Sequence, residues 1–208
     1  RFHELPSTLG NLEMYRASRD LLMSHGYQQI TAYNWRKPGD PAGRRYEEGV
    51  TRWVGTMDTV GLGYAAITFF GDVALEDGRH WSYINWRKLS EYKRAIDEGR
   101  FPVECGFRHD LEDFELSMVF RNLFGLELDR AAYREAFGGD VYDHFAGVWD
   151  ALAEWEFVAI TPEKIRLVGD GIFYTPLIQA LLAEGRYRVL RERAIRRAQG
   201  SEPNQVVA

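Results

Sequence analysis

Asp58-Thr59-Val60-Gly61-Leu62-Gly63-Tyr64-Ala65-Ala66-Ile67 brings two glycines and two alanines together directly ahead of an apolar segment. Glycine carries no Cβ and reaches positive φ without penalty, so a Gly-x-Gly turn lets a ligand, or another stretch of chain, lie against its peptide groups. A dinucleotide fingerprint needs a third glycine, a strand before and a helix after, and this segment has none of them. The turn leads instead into a strand, expected from Ala65 to Phe70. Gly71-Asp72 then begins a turn, and Arg79-His80-Trp81-Ser82-Tyr83 returns as the second strand of a hairpin.

Upstream, Ser7 or Thr8 caps a helix whose apolar residues Leu12, Tyr15 and Leu22 fall at helical spacing, and Gly26 ends it. Tyr27 to Tyr33 reads as a strand closed by Lys37-Pro38-Gly39-Asp40-Pro41, and residues 38–52 as a polar loop. Helix followed by strand is the repeating unit of α/β proteins. Downstream, Asn85 is placed to cap a helix through Leu89, Tyr92 and Ile96 to Gly99.

From Asp110 the pattern turns helical. Leu111, Phe114, Met118 and Leu123 share one helix, Ala132 to Phe137 forms a short second, and Tyr142 to Trp155 a third. Phe157 to Thr161 and Lys164 to Val168 flank Pro162-Glu163 as a hairpin. A last helix from Tyr174 carries Leu177, Ile178, Leu181 and Leu182 and becomes basic from Arg186 to Arg197. The expected fold is α/β followed by a mainly helical, winged-helix-like C-terminal domain, with a disordered tail after Gly200.

The chain has 208 residues, 45% of them hydrophobic, and a formal net charge of −5. A sizeable core is available, and the acidic balance argues against nucleic acid or an anionic membrane as partner. Cys105 is the single cysteine, so the chain forms no internal disulfide and cannot hold a Cys-rich zinc site or an iron–sulfur cluster by itself. No apolar run reaches the roughly 20 residues that span a bilayer, and cytoplasmic residence is the expectation. Arg1 stands where a chain would start with Met, which reads as a piece of something longer.

Side-chain constellations are sparse. The histidines at 3, 25, 80, 109 and 144 share no metal-ligand spacing, so no metal site is assigned. Cys105 with His109 four residues on has the residue types of a thiol nucleophile and its base, though the spacing is not specific. The arginines at 186, 188, 191, 193, 196 and 197 adjoin a winged-helix-like module, the combination seen in DNA binders; cations at a helix C-terminus explain them more simply. Tyr33, Trp35, Trp53, Tyr64, Phe69 and Phe70 are either core or a surface for a flat ligand. Glu47 and Glu48 beside Arg44 and Arg45 read as a solvated loop face.

The order of motifs resembles the C-terminal half of the HemN-like radical S-adenosylmethionine enzymes, relatives of oxygen-independent coproporphyrinogen III oxidase. The matching pieces are Leu5-Pro6-Ser7, His25-Gly26-Tyr27-Gln28, Trp35 ahead of Lys37-Pro38, the Asp58 to Ile67 run, Gly71-Asp72, Tyr83-x-Asn85 and the hairpin from Phe157 to Leu167. They extend from Leu5 to about Leu182. The resemblance implies the last helix and strand of a partial TIM-like (β/α) barrel over 1–40, a connecting segment with the Gly-Leu-Gly loop and a hairpin over 41–100, a helical C-terminal domain over 101–199, and a tail over 200–208. It implies S-adenosylmethionine and a [4Fe-4S] cluster in the full-length parent, with the cluster-binding Cys-x-x-x-Cys-x-x-Cys motif outside this chain, which alone would be inactive. Cofactor-side positions carried over from the resemblance are Tyr33, Trp35, Gly61, Gly63, Tyr64 and Ala65, with no catalytic residue assigned.

The substrate implied is a small molecule, and the partner is the missing barrel half or a second copy. In the oxidase a His-Arg-Asn-Phe-Gln-Gly-Tyr-Thr-Thr stretch precedes Gly-Leu-Gly, whereas this chain has Arg45-Tyr46-Glu47-Glu48-Gly49-Val50-Thr51-Arg52-Trp53. That departure favours C-methyl or methylene transfer to a natural product or tetrapyrrole over oxidase-type decarboxylation. A non-catalytic binding module is the alternative of a different class.

Overall fold

The hydroxyl of Ser7 accepts a hydrogen bond from Gly10 N at 3.1 Å and starts α1 (Thr8–Ser24), which gives way to Gly26 at φ +79° as the sequence predicts. The computed structural model describes residues 5–44, 58–70 and 80–199. Trp53, Glu47, Glu48 and Gly71-Asp72, the stretch that departs from the oxidase pattern and the tail expected to be disordered lie outside the described residues.

The strand expected from Tyr27 to Tyr33 is cut short. β1 (Gln28–Gln29) pairs antiparallel with β2 (Trp35–Arg36). Between them the Thr31 hydroxyl accepts from the amides of Tyr33 (3.2 Å) and Asn34 (3.0 Å), and Ile30 N donates to Asn34 O at 2.9 Å. Side-chain bonding to local backbone thus turns the chain back before the β-forming residues extend. Every strand pair among the described residues is antiparallel, so they contain no parallel barrel pair. The architecture observed is mixed helix and sheet.

β3 (Ile67–Phe70) and β4 (His80–Asn85) form the expected hairpin pair, and a strand that sequence reading passed over, β5 (Val103–His109), adds to β4 in the order β3-β4-β5. Asn85 does not cap the following helix. α2 (Leu89–Asp97) starts at Lys88 without a side-chain cap, because the Asn85 amide is committed elsewhere.

The remainder is a helical unit. α3 (Leu111–Phe124) begins with a reciprocal Asp110–Asp113 capping box. β6 (Glu127–Asp129), α4 (Arg130–Phe137), α5 (Val141–His144), α6 (Ala146–Glu154), β7 (Val158–Ile160) and β8 (Lys164–Leu167) follow, with strand order β6-β8-β7. Val119, Leu123, Leu128, Val141, Trp149 and Ile165 are fully buried, and the Trp149 indole donates to Val141 O at 2.9 Å. The single helix expected from Tyr142 to Trp155 is two, because Phe145 at φ −124° breaks the spiral between α5 and α6. The last helix is likewise two, α7 (Thr175–Leu182) and α8 (Glu184–Ala198). α1 joins this unit through Arg16 on Asp170 and the Tyr15–Phe173 rings at 5.5 Å, and Ala32 N reaches Phe124 O at 2.9 Å. No described helix is long and apolar enough to cross a membrane.

Asp140 fastens α4 to α5. Its burial acts to raise its carboxyl's pKa, but Arg130 (2.9 Å), the Tyr142 amide (2.9 Å) and Arg134 (2.6 Å) overcome that and hold it down at about 2. A carboxyl depressed in the folded state stabilises above its unfolded pKa and loses that contribution as pH falls towards its folded value. Asp140→Asn is expected to cost about 1–2 kcal/mol at neutral pH. In urea titrations, the gap between wild type and variant should close between about pH 4 and pH 2. An unchanged gap at pH 2 would remove Asp140 as the cause.

Candidate functional site

The Gly-Leu-Gly segment is pinned to the three-stranded sheet. Thr59 exchanges both backbone hydrogen bonds with Phe69 (2.8 and 2.9 Å), Gly61 N donates to the buried Thr68 hydroxyl (2.9 Å), and Ala65 N donates to Trp86 O (3.0 Å). The Asn85 side-chain amide donates to Gly61 O (3.2 Å) and Gly63 O (2.9 Å), while its backbone N–H takes Ala66 O (2.9 Å). Asn85 is therefore the anchor of the loop. The Tyr83-x-Asn85 pairing was its visible signal in the sequence, and its role lay in contacts over twenty residues back along the chain.

The two glycines have different causes. A Cβ on Gly61 would lie 2.5 Å from Ile67 O and 2.8 Å from Ile67 N, so the close approach implied by the sequence is to another stretch of this chain. Gly63 has open space around its Cβ position but sits at φ +107°, and Ala65 at φ +58° completes a turn that L-residues seldom adopt. Leu62 and Tyr64 project outward from this rigid base and are largely exposed. Beneath the loop is a cavity of about 380 Å³ bounded by Gly61, Gly63, Tyr83, Asn85, Tyr92 and Phe101.

Trp35 lines a different cavity of about 870 Å³, with Tyr27, Gln29, Asn122, Glu127 and Arg166, between the β1–β2 hairpin and the helical unit. Tyr33 lies in the hairpin turn, mostly exposed, with its ring 5.7 Å from Phe124. The six sequence-derived positions thus do not share one cavity: Gly61 and Gly63 line the first, Trp35 the second, and Tyr33, Tyr64 and Ala65 neither. The aromatic group also divides. Phe70 stacks on Trp81 at 4.6 Å, whereas Phe69 meets His109 at 5.6 Å and Phe114 at 6.3 Å.

Cys105 and His109 lie on one extended strand, so four residues of separation place them about 13 Å apart. His109 Nε2 instead meets the Ser82 hydroxyl at 2.7 Å, which removes the nucleophile–base pairing. Arg186 is not part of a basic surface. It is 5% exposed and bonded to Asp110, Glu112 and Asp113. A polar trio missed in the sequence joins Glu115, the Tyr133 hydroxyl and His144 Nδ1, with Glu115 and His144 2.8 Å apart. Burial, then Glu115, pushes the Tyr133 phenol well above its ordinary pKa.

No family model matches the chain. Two oxygen-independent coproporphyrinogen III oxidases from strains of Helicobacter pylori match it over 161 residues, with 27% and 26% identity. The chain is similar in sequence to part of these oxidases. The matches take in 73% of the chain and 33% of each oxidase, so the chain spans about a third of the length of these curated relatives. The solved structure of coproporphyrinogen III oxidase (HemN) from Escherichia coli, a radical SAM enzyme, superposes with a TM-score of 0.65 at 22% identity, covering 88% of this chain and 43% of that one.

Of the cofactors such enzymes use, the cluster does not fit the residues present. Cys105 is the one cysteine, and no group of three or more His, Cys, Asp or Glu among the described residues is placed to hold a metal ion.

Proposed function

We propose that the chain forms the C-terminal portion of a HemN-like radical S-adenosylmethionine enzyme whose cluster cysteines lie on another part of the parent protein. The observation that carries this reading is the shared fold with HemN over 88% of the chain, together with the ordered motif set from Leu5 to the hairpin at 157–167. In such a parent, the cluster and S-adenosylmethionine supply a hydrogen-abstracting radical. This chain contributes a rigid loop, Gly61 to Ala65, held in place by Asn85 and Thr68 at the margin of the cofactor cavity, with Tyr33 and Trp35 on a second wall that the missing part would complete. The chain alone is then inactive.

Methyl or methylene transfer to an unsaturated carbon of a small molecule is the preferred reaction, on the departure of residues 45–53 from the oxidase pattern. Oxidase-type decarboxylation is the second reading, favoured by the names of the matched relatives. The test is anaerobic reconstitution of the parent protein with iron and sulfide. It should develop four-iron absorbance and release 5′-deoxyadenosine from S-adenosylmethionine, and the 208-residue chain treated identically should do neither. Absence of both from the parent would end the enzyme reading. Carbon dioxide release from coproporphyrinogen III would replace methyl transfer with the oxidase.

A further inference from the structure

The three-stranded sheet has one closed edge and one open edge. Thr59 covers β3 through its two backbone bonds to Phe69. β5 pairs with β4 along one side only, and no backbone group from Val103 to Arg108 bonds to another element among the described residues. Such a row of free amides and carbonyls is a template for a further strand.

The sequence of that edge is self-complementary. Glu104 and Arg108 lie at equal distance on either side of Gly106, with Cys105 and Phe107 between. An identical strand laid antiparallel about a two-fold axis at Gly106 sets each Glu104 opposite the other copy's Arg108, and each Cys105 opposite the other copy's Phe107. Opposite charges directly across an antiparallel pair stabilise it, and like charges destabilise it. Glu104 is held charged by Arg87, which donates to it at 2.6 and 3.0 Å. Arg108 is exposed and has no ion pair among the described residues.

Two further residues are unexplained by a single copy. Gly106 needs no special backbone angle, and a Cβ there would meet nothing closer than Ser82 O at 3.6 Å, so its own chain does not demand a glycine. Glycine within a strand often marks the close approach of another backbone. Phe107 is 52% exposed at the open edge, with no ring partner among the described residues. The register shift between Ile84 and Asn85 leaves Glu104 without a partner on β4 as the extra residue of a bulge, so the regular ladder runs from Cys105 to His109 and the self-complementary stretch ends at the bulge.

We propose that two copies of this chain associate by antiparallel pairing of their β5 edges, centred on Gly106. The reading stands apart from the radical chemistry and does not depend on it. The joined strands make a continuous six-stranded sheet and draw Phe107 into the seam. The paired stretch is short, so a dissociation constant on the order of 100 µM is expected.

Sedimentation equilibrium of the 208-residue chain from about 10 µM to 1 mM should show a monomer–dimer equilibrium in that range. Arg108→Glu places carboxylates opposite one another and should weaken the dimer at least about tenfold, while Arg108→Lys should stay within about threefold. Register is read by oxidation. Phe107→Cys brings its new thiol opposite Cys105 of the second copy and should give a disulfide-linked dimer on a non-reducing gel, whereas Val103→Cys, beyond the bulge, should give none. Circular dichroism confirms that each variant is folded. A chain monomeric throughout, a dimer indifferent to Arg108→Glu, or equal cross-linking through position 103 overturns the proposal.

Discussion

Gly61→Ala is expected to destabilise the chain by about 3 kcal/mol, with the damage concentrated at the junction of the Gly-Leu-Gly loop and the sheet. The added methyl would lie 2.5 to 2.8 Å from the backbone of Ile67, and backbone cannot rotate aside as a side chain can. Relief requires the loop to lift from β3, which breaks the Gly61 N bond to Thr68 Oγ1 and the Asn85 bond to Gly61 O together. Thr68 is fully buried and Asn85 nearly so, so both are left with unsatisfied polar atoms. The melting temperature should fall by roughly 6–12 °C for a chain of this size. Amide exchange should accelerate first at Gly61, Ala65 and Asn85. Gly63→Ala is the contrast: it meets no neighbour and pays only for its positive φ, about 1 kcal/mol. Equal melting temperatures for the two variants would show that close packing at Gly61 is not what the glycine serves.

That comparison also marks how far sequence reading reaches. The loop's glycines announced a close approach, and the strand expected from Ala65 to Phe70, with its return at His80 to Tyr83, was visible from its β-formers, although it begins only at Ile67 because Ala65 at φ +58° still belongs to the turn. The hairpin at 158–167 was legible from its Pro-Glu turn and α3 from its apolar spacing, whereas the Asp110–Asp113 capping box that starts it was not read. Asn85 was misread: its position before α2 is that of a cap, and nothing local reports that Gly61 and Gly63 compete for its amide. β5 was missed although Cys105, Phe107 and His109 alternate with Gly106 and Arg108, since a glycine and two charges dilute the pattern. The strand expected from Tyr27 to Tyr33 failed because the Thr31 hydroxyl captures two nearby amides, a local bond that β-propensity does not weigh. Of the candidate positions, the sequence located a structured loop at 61–65 but not the separate cavity behind Trp35, because which residues share a cavity is decided by how the hairpin packs on the helical unit.

Arg186→Ala is expected to cost about 2–3 kcal/mol, because the guanidinium itself is buried while the Asp110 and Glu112 carboxylates it would leave behind are partly exposed and can be solvated. Its guanidinium donates through Nε to Asp113 at 2.7 Å, through Nη1 to Glu112 at 3.1 Å, and through Nη2 to Asp110 at 2.6 Å and Asp113 at 2.7 Å. Asp113 and then Asp110 hold the arginine's own pKa above its ordinary value. Those carboxylates form the first turn of α3 and its capping box, so one side chain from the start of α8 closes the helical unit onto the end of β5. The helix N-terminus compensates part of the acidic charge by itself, which limits the penalty. Arg186→Lys should recover only part of the loss, about 1–2 kcal/mol below wild type, because an ammonium cannot fork across three carboxylates. The acid limb of the stability curve gives an independent check. Burial acts to raise the Asp110 pKa, but the Asp113 amide and Arg186 outweigh it and leave it below the ordinary value. The stabilisation it brings is present above the usual aspartate range and disappears as pH falls through it. Without Arg186, wild-type and variant denaturation midpoints should therefore converge under acid and separate at neutral pH. A variant that loses less than about 1 kcal/mol at neutral pH would mean that the cluster is balanced by its desolvation cost and that α8 is held by apolar packing alone.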